Sequence, residues 1–119
     1  KKWITYVLGQ LINNSIKYSK ENGVIEFSAE DKGEFIELKI RDNGIGINEE
    51  DLERVFNKGF TGSNGRNSVY KSTGMGLYFS KKIIDKLNHS IKVESVKDKY
   101  TLFRIRFYKI SDYLSVTKL

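Results

Sequence analysis

Three short stretches of the chain combine polar side chains with glycines in patterns that suit a phosphorylated ligand. Residues 10–18 read QLINNSIKY, residues 42–47 read DNGIGI and residues 72–77 read STGMGL. In the first stretch Asn14 lies among apolar residues at helical spacing, where a polar side chain normally has a partner. In the third, glycines directly precede a helical pattern, so free backbone N–H groups there can bind phosphate oxygens with the helix dipole in favour. The pattern therefore predicts a site for a ligand that carries phosphates.

The acidic residue of the second stretch suggests how a base would be selected. Asp42 ends a predicted strand, and an ionised carboxylate only accepts hydrogen bonds, which matches the exocyclic amine of adenine and opposes the oxygen of guanine. Gly44 and Gly46 allow the backbone to approach a base closely. By itself, DNG is more often an ordinary turn. The chain has neither a G-x-G-x-x-G that opens a helix nor a G-x-x-x-x-G-K-[ST] phosphate loop.

The elements that must position these residues follow from the spacing of apolar side chains. The predicted order is a helix over 3–18, strands over 25–30 and 36–41, a short helix over 49–56, a loop over 57–76, a helix over 76–87, and strands over 91–96 and 100–108. In the first helix the apolar positions from Trp3 to Ile16 should form one buried face. In the first hairpin the alternate residues from Ile25 and from Ile36 should face the core, and Asn48 should cap the short helix. Helices that share one face, over strands without parallel crossovers, indicate a two-layer α+β sandwich.

The composition fits one water-exposed domain with an anionic partner. The chain has 119 residues, 39% of them hydrophobic and 30% charged, and no apolar run approaches the roughly 20 residues of a membrane helix. It has no cysteine, which excludes disulfides and thiolate metal sites. The net charge of +6 suits nucleic acid or a polyphosphate nucleotide. A nucleic-acid module would need exposed aromatic residues on a strand, whereas Phe103 and Phe107 alternate with Arg104 and Arg106 as core residues do.

The three stretches together resemble the ATP-binding catalytic domain of bacterial sensor histidine kinases, over residues 3–107. This fold is shared with gyrase-type ATPases, the ninety-kilodalton heat-shock chaperone and the MutL repair proteins. The resemblance implies a two-layer Bergerat-type sandwich, with a mixed, mainly antiparallel sheet covered on one face by about three helices. It implies ATP and Mg²⁺ as cofactors, a catalytic domain over residues 1–110 and a tail over 111–119.

The resemblance also assigns roles to individual residues. Asn14 would be the magnesium ligand, Lys17 would reach the phosphates, and Tyr18 would pack on the adenine. Gln10 lies one helical turn before Asn14, where the gyrase-type ATPases have a glutamate base; glutamine cannot accept a proton near neutral pH, which favours a kinase over an ATPase. The catalytic candidates are thus Gln10, Asn14 and Lys17. The further nucleotide contacts implied are Asp42, Gly44, Gly46, Ile47, Phe56, Arg66, Lys71, Ser72, Thr73, Gly74, Met75, Gly76, Leu77 and Thr101.

Two of these assignments have alternatives in the sequence. Phe56 fits an aromatic pair with Phe60 beside the loop over the nucleotide, but ordinary core packing explains it equally well. Thr101 resembles the threonine of a Gly-Thr element, but Tyr100 stands where the family has glycine, which leaves that contact open.

The expected function involves other domains. The only histidine, His89, follows the second main helix, whereas the phosphoaccepting histidine of these kinases lies on a separate helical hairpin. The resemblance therefore implies that this domain holds Mg·ATP for transfer to a histidine-bearing dimerisation domain of the same kinase, in cis or in trans, with a response regulator downstream. It implies no nucleic-acid partner, no direct membrane contact by this part of the chain, and a cytoplasmic domain of a membrane-anchored bacterial protein. The stretches GFTG, at residues 59–62, and GLYFSKKI, at residues 76–83, resemble sequences of the subgroup that senses cell-envelope stress or antimicrobial peptides. The alternatives are an ATPase of the same superfamily and a basic nucleic-acid-binding module.

Overall fold

The computed structural model describes residues 2–60 and 75–109. Its elements are α1 (Lys2–Lys17), β1 (Ile25–Asp31), β2 (Phe35–Asp42), α2 (Glu49–Leu52), α3 (Gly76–Lys86), β3 (Ser90–Val96) and β4 (Tyr100–Tyr108). The predicted order of helices and strands is therefore confirmed. Most of the predicted loop and the whole predicted tail lie outside the described residues.

The strands form one sheet in the order β1-β2-β4-β3. All three pairings among the described residues are antiparallel, so both predicted hairpins form, and a central pairing of β2 with β4 joins them. The register aligns the ends of the strands: Asp42 lies opposite Ile25 on one side and opposite Thr101 on the other. The α+β sandwich expected from the sequence is thus confirmed.

The core lies between the helices and one face of this sheet. Its buried side chains are Val7, Leu11, Ile40, Ile84, Ile91, Phe103 and Ile105. They come from α1, β2, α3, β3 and β4, and Phe107 packs against them as predicted. The opposite face of the sheet carries charged side chains, among which Arg106 donates to the buried carboxylate of Glu37 over 3.1 Å. The alternation of Phe103 with Arg104 therefore separates core from solvent.

Some predicted core positions are exposed. Phe27 is 53% exposed, Ile36 is 41% exposed and Ile16 is 49% exposed. The helices pack over β2 and β3, and β1 is an edge strand, so only Ile25 at its start packs against the core. Periodicity gives the side of the strand a residue occupies, but it does not say whether a helix covers that place.

The short helix also differs from its prediction. α2 ends at Leu52, four residues earlier than expected, and the chain continues in turns and a bend to residue 59. Asn48 occupies the position before the helix with φ of −60° and ψ of 141°, but its side chain makes no capping hydrogen bond. Within this helix the Asp51 carboxylate accepts a hydrogen bond from Arg54 over 2.9 Å.

Candidate nucleotide-binding site

A row of polar residues crosses the sheet at the end nearest the predicted nucleotide site. Asp42 on β2, Thr101 on β4 and Ser95 on β3 are opposite one another in the register. Asp42 is 4% exposed and Thr101 is 5% exposed. Ser15 of α1 is fully buried and its hydroxyl lies beside the Asp42 carboxyl. The sequence had separated these residues by up to 86 positions, and the sheet brings them into one cluster.

Burial raises the pKa of Asp42. The backbone N–H of Gly44, which donates to Asp42 Oδ1 over 2.9 Å, the hydroxyl of Ser15 and the charge of Arg41 lower it, but they do not offset the burial. Ser15 makes no hydrogen bond of standard geometry within the described residues. A buried carboxylate accepts more than one hydrogen bond when fully satisfied. Asp42 therefore keeps acceptor capacity for a donor from a ligand.

Gly44 and Gly46 are required by close contacts within the protein. A Cβ on Gly44 would overlap the backbone oxygen of Tyr18. Gly46 has a φ of +73°, and a Cβ there would lie 2.5 Å from the backbone oxygen of Val96. The sequence interpretation, which gave these glycines to the approach of a base, missed this role. Both contacts fix the loop between α1 and the β3–β4 hairpin.

Backbone hydrogen bonds hold the same loop in place. Ile45 donates to the oxygen of Tyr18 over 3.1 Å, and its own oxygen accepts from Asp98 over 2.7 Å. The ammonium of Lys20 donates to the oxygen of Asp98 over 2.7 Å. The loop that follows Asp42 is thus tied on one side to the end of α1 and on the other to the β3–β4 turn.

One face of α1 presents the other expected polar groups. Asn14 is half-buried near the end of α1. Lys17 Nζ lies 5.0 Å from the centre of the Tyr18 ring, and burial lowers the pKa of Lys17. Burial also raises the pKa of Tyr18. Amide oxygen, ammonium and aromatic ring therefore lie close together at the end of α1.

The described residues contain no group of three or more His, Cys, Asp or Glu side chains that could hold a metal ion. An ion at Asn14 would consequently take few protein ligands and complete its shell with ligand oxygens and water. That donor set fits Mg²⁺, which binds amide and carboxylate oxygens and keeps several waters.

Gln10 packs against the start of α3. A Cβ on Gly76 would overlap Gln10 Oε1, so the absence of a side chain at Gly76 lets the two helices approach. Met75 precedes α3, and Leu77, in its first turn, packs against the core. The N-terminal backbone of α3 therefore lies next to α1, on the side that carries Gln10.

The other predicted contacts divide into three groups. Phe56 packs edge-on against Phe103, with ring centres 6.3 Å apart, which is its core-packing alternative. Tyr100 directs its ring away from Thr101: its hydroxyl donates to Glu94 over 2.8 Å on the outer face of the sheet. The tyrosine that stands where the family has glycine therefore makes its polar contact away from Thr101. Arg66, Lys71, Ser72, Thr73 and Gly74 lie outside the described residues.

Two polar residues of the cluster, Ser15 and Ser95, were not identified from the sequence. Ser15 adjoins Asn14 but has no distinctive pattern of its own. Ser95 continues the inward alternation of Ile91 and Val93, so a serine appears where the pattern calls for an apolar residue. That exception was the available signal.

Comparison with known proteins defines the class. Residues 1–110 match the family described as histidine kinase-, DNA gyrase B-, and HSP90-like ATPase, and the chain belongs to this family. This is an ATP-binding family. The expected fold and family are confirmed.

Particular relatives are sensor kinases. The chain is 41% identical over 106 residues to the sensor protein BceS of Bacillus subtilis, covering 89% of this chain and 31% of that protein. It is 36% identical over 107 residues to the sensor histidine kinase YxdK of the same organism, covering 89% of this chain and 33% of that protein. It is 39% identical over 106 residues to the sensor histidine kinase GraS of Staphylococcus epidermidis, covering 89% of this chain and 30% of that protein. The chain thus spans about a third of the length of these relatives.

Solved structures agree. The mycobacterial sensor histidine kinase MprB superposes with a TM-score of 0.79 at 19% identity, over 90% of this chain and 72% of that one, which shows the shared fold. The catalytic domain of histidine kinase ThkA superposes with a TM-score of 0.75 at 29% identity, over 91% of this chain and 68% of that one.

Among the described residues, no helix combines the length and apolar character needed to cross a membrane.

Proposed function

We propose that this domain binds Mg·ATP and presents the γ-phosphate to a histidine on another domain of a sensor kinase. The observation that carries the proposal is the buried Asp42 carboxyl, which has a raised pKa and only partly satisfied acceptors. A ligand donor compensates such a group best, and the exocyclic amine of adenine is that donor. Gly44, Gly46 and Ile47 hold the loop beside it, and Thr101 lies across the sheet from it.

The phosphates would lie between α1 and the start of α3. Asn14 supplies an amide oxygen for the metal, Lys17 supplies positive charge, and the backbone at Met75–Leu77 begins a helix whose dipole favours anions. Bound Mg²⁺ would neutralise charge on the phosphate oxygens during transfer. Arg66, Lys71, Ser72, Thr73 and Gly74 are proposed phosphate contacts on sequence grounds alone.

Gln10 favours phosphoryl transfer to a side chain over hydrolysis. An ATPase needs a base to activate water, and a glutamine amide does not accept a proton near neutral pH. The other ATPases of the family therefore remain the second candidate, distinguished by phosphate release. No finding favours the nucleic-acid alternative, since Phe103 is fully buried.

His89 is unsuited to act as the phosphoacceptor. Its Nδ1 accepts the backbone N–H of Tyr108 over 3.0 Å, and its ring lies 5.9 Å from Trp3 and 5.4 Å from Phe107. We therefore propose that the acceptor belongs to a dimerisation domain of the same kinase, that a response regulator receives the phosphoryl group, and that this domain lies on the cytoplasmic side of a membrane-anchored protein.

Incubation with γ-labelled ATP tests the proposal. The chain alone should bind Mg·ATP, acquire no label and release little phosphate. Addition of the histidine-bearing domain of its kinase should transfer label to that domain, slowly, because the effective concentration of a tether, on the order of millimolar, is absent. The same domain with its histidine changed to glutamine is the control. Label on His89, or rapid phosphate release by the chain alone, would overturn the proposal.

A further inference from the structure

We propose that Ser95 is a positioning residue that fixes the Thr101 hydroxyl as a hydrogen-bond acceptor towards the base, and so helps to select a 6-aminopurine over a 6-oxopurine. The inference rests on the proposed nucleotide function and assigns a further determinant of its specificity. Ser95 is not among the residues assigned to the phosphates or to the metal; it acts through Thr101 and through the loop after Asp42.

The geometry around Ser95 involves three neighbours. Its Oγ accepts the backbone N–H of Ile47 over 2.8 Å and donates to the backbone oxygen of Tyr100 over 2.6 Å. It also lies 3.0 Å from Thr101 Oγ1, a contact in which either hydroxyl has the geometry to donate. These contacts join β3, β4 and the loop that follows Asp42.

Counting protons decides the direction of the third contact. A serine hydroxyl has one proton and two lone pairs. The proton is used towards Tyr100, since two acceptor oxygens 2.6 Å apart would repel each other. The Ile47 N–H takes one lone pair, and the other can only receive the proton of Thr101. All groups are satisfied in this single arrangement.

The consequence is an acceptor-only surface next to Asp42. With its proton directed at Ser95, Thr101 presents only lone pairs to its surroundings. Its proton is then unavailable to the carboxylate opposite. Asp42 and Thr101 thus offer adjacent acceptors. An exocyclic amine suits both, whereas a 6-oxo group would face lone pairs from each.

The test compares ATP with inosine triphosphate, which carries oxygen in place of the 6-amino group and a proton on the neighbouring N1. Calorimetric titration in the presence of Mg²⁺ should show that the wild-type chain prefers ATP. Ser95→Ala frees the Thr101 hydroxyl to donate, so the ratio of the two affinities should fall by about two- to tenfold, the range of one hydrogen bond. Ser90→Ala, the same change at the other end of β3, should leave the ratio unaltered.

Further variants separate positioning from a merely structural role. In a Thr101→Val background Ser95→Ala should no longer change the ratio of the two affinities. With Thr101 intact, Ser95→Thr should keep the wild-type ratio, because its hydroxyl can accept the same proton. If Ser95→Ala weakens ATP and inosine triphosphate equally, Ser95 only holds the loop and the inference is wrong. Should that variant fail to fold, Ser95→Cys keeps a similar volume with a sulfur that accepts hydrogen bonds only weakly, and an unaltered ratio there also overturns the inference. A wild-type chain that binds neither nucleotide refutes instead the proposed function.

Discussion

Replacement of Asp42 by asparagine should weaken ATP binding while stabilising the fold. Gly44 donates to Oδ1 of Asp42, and an asparagine would keep its oxygen there because the N–H requires an acceptor. Its NH₂ group would then face the base. The acceptor that suits adenine becomes a donor, which opposes the exocyclic amine and suits a 6-oxo group.

The size of the effect follows from the burial of the site. Asp42 is 4% exposed, so solvent offers no substitute for a lost partner. Loss of a hydrogen bond to a charged group costs about 1.5–3 kcal/mol, which corresponds to ATP binding roughly 10- to 150-fold weaker. Inosine triphosphate should bind more tightly to Asp42→Asn than to wild type. Asp42→Ala, which removes acceptor and donor alike, should weaken ATP by about 1–3 kcal/mol without that gain.

Stability should change in the opposite direction. Because burial raises the pKa of Asp42 in the folded state, its contribution to stability is fully present below the ordinary value of 3.8 and is lost as the pH rises through the raised pKa. At neutral pH the ionised carboxylate therefore destabilises the empty domain, and Asp42→Asn removes that cost. Urea unfolding should show the variant to be more stable at pH 7, with the difference vanishing towards low pH.

Calorimetry with both nucleotides and urea titrations over a pH series would check these expectations. The reasoning is refuted if Asp42→Asn binds ATP as wild type does. It is equally refuted if the variant is less stable at every pH, because the carboxylate would then be a structural group that the fold requires.

Three further predictions concern other parts of the domain. Asn14→Ala should weaken Mg²⁺-dependent ATP binding and leave the unfolding free energy unchanged. The same change at its exposed neighbour, Asn13→Ala, should alter neither quantity. If Asn14→Ala instead unfolds while its folded fraction keeps the wild-type affinity, Asn14 is a structural residue. Burial lowers the pKa of His89, so the neutral ring contributes stability above 6.5 that is lost as pH falls through the lowered pKa, and urea unfolding of His89→Gln should lack this loss. Gly46 and Gly59 both have positive φ, so an alanine at either position should cost about 1–2 kcal/mol of stability. Of these two, only Gly46 would also bring a Cβ within 4 Å of backbone atoms, so urea unfolding should show a larger loss of stability for Gly46→Ala than for Gly59→Ala. Equal losses would refute the contact.

Much of the fold was predictable because it depends on local patterns. The alternation of Phe103 and Phe107 with arginines predicted β4 and its buried face, and glycine before an apolar helical pattern predicted the start of α3. Pairing of β2 with β4 was not predictable from local spacing, and neither was the exposure of Phe27. Both depend on which elements lie beside and above a strand, a property of the assembled sheet.

The sequence by itself determined the class of protein and the residues that identify it: Asn14 in its helix, Asp42 before two glycines, and Gln10 where a base would otherwise be. Motif spacing carries that information because each motif occupies one turn or one loop. Only the tertiary structure decided how the motifs act together. It set Thr101 opposite Asp42, buried the carboxyl enough to raise its pKa, and placed Ser95 against both strands and the loop. Burial and hydrogen-bond direction arise between residues that are distant in sequence, so the direction of a proton at the base site follows from the sheet register and not from any motif.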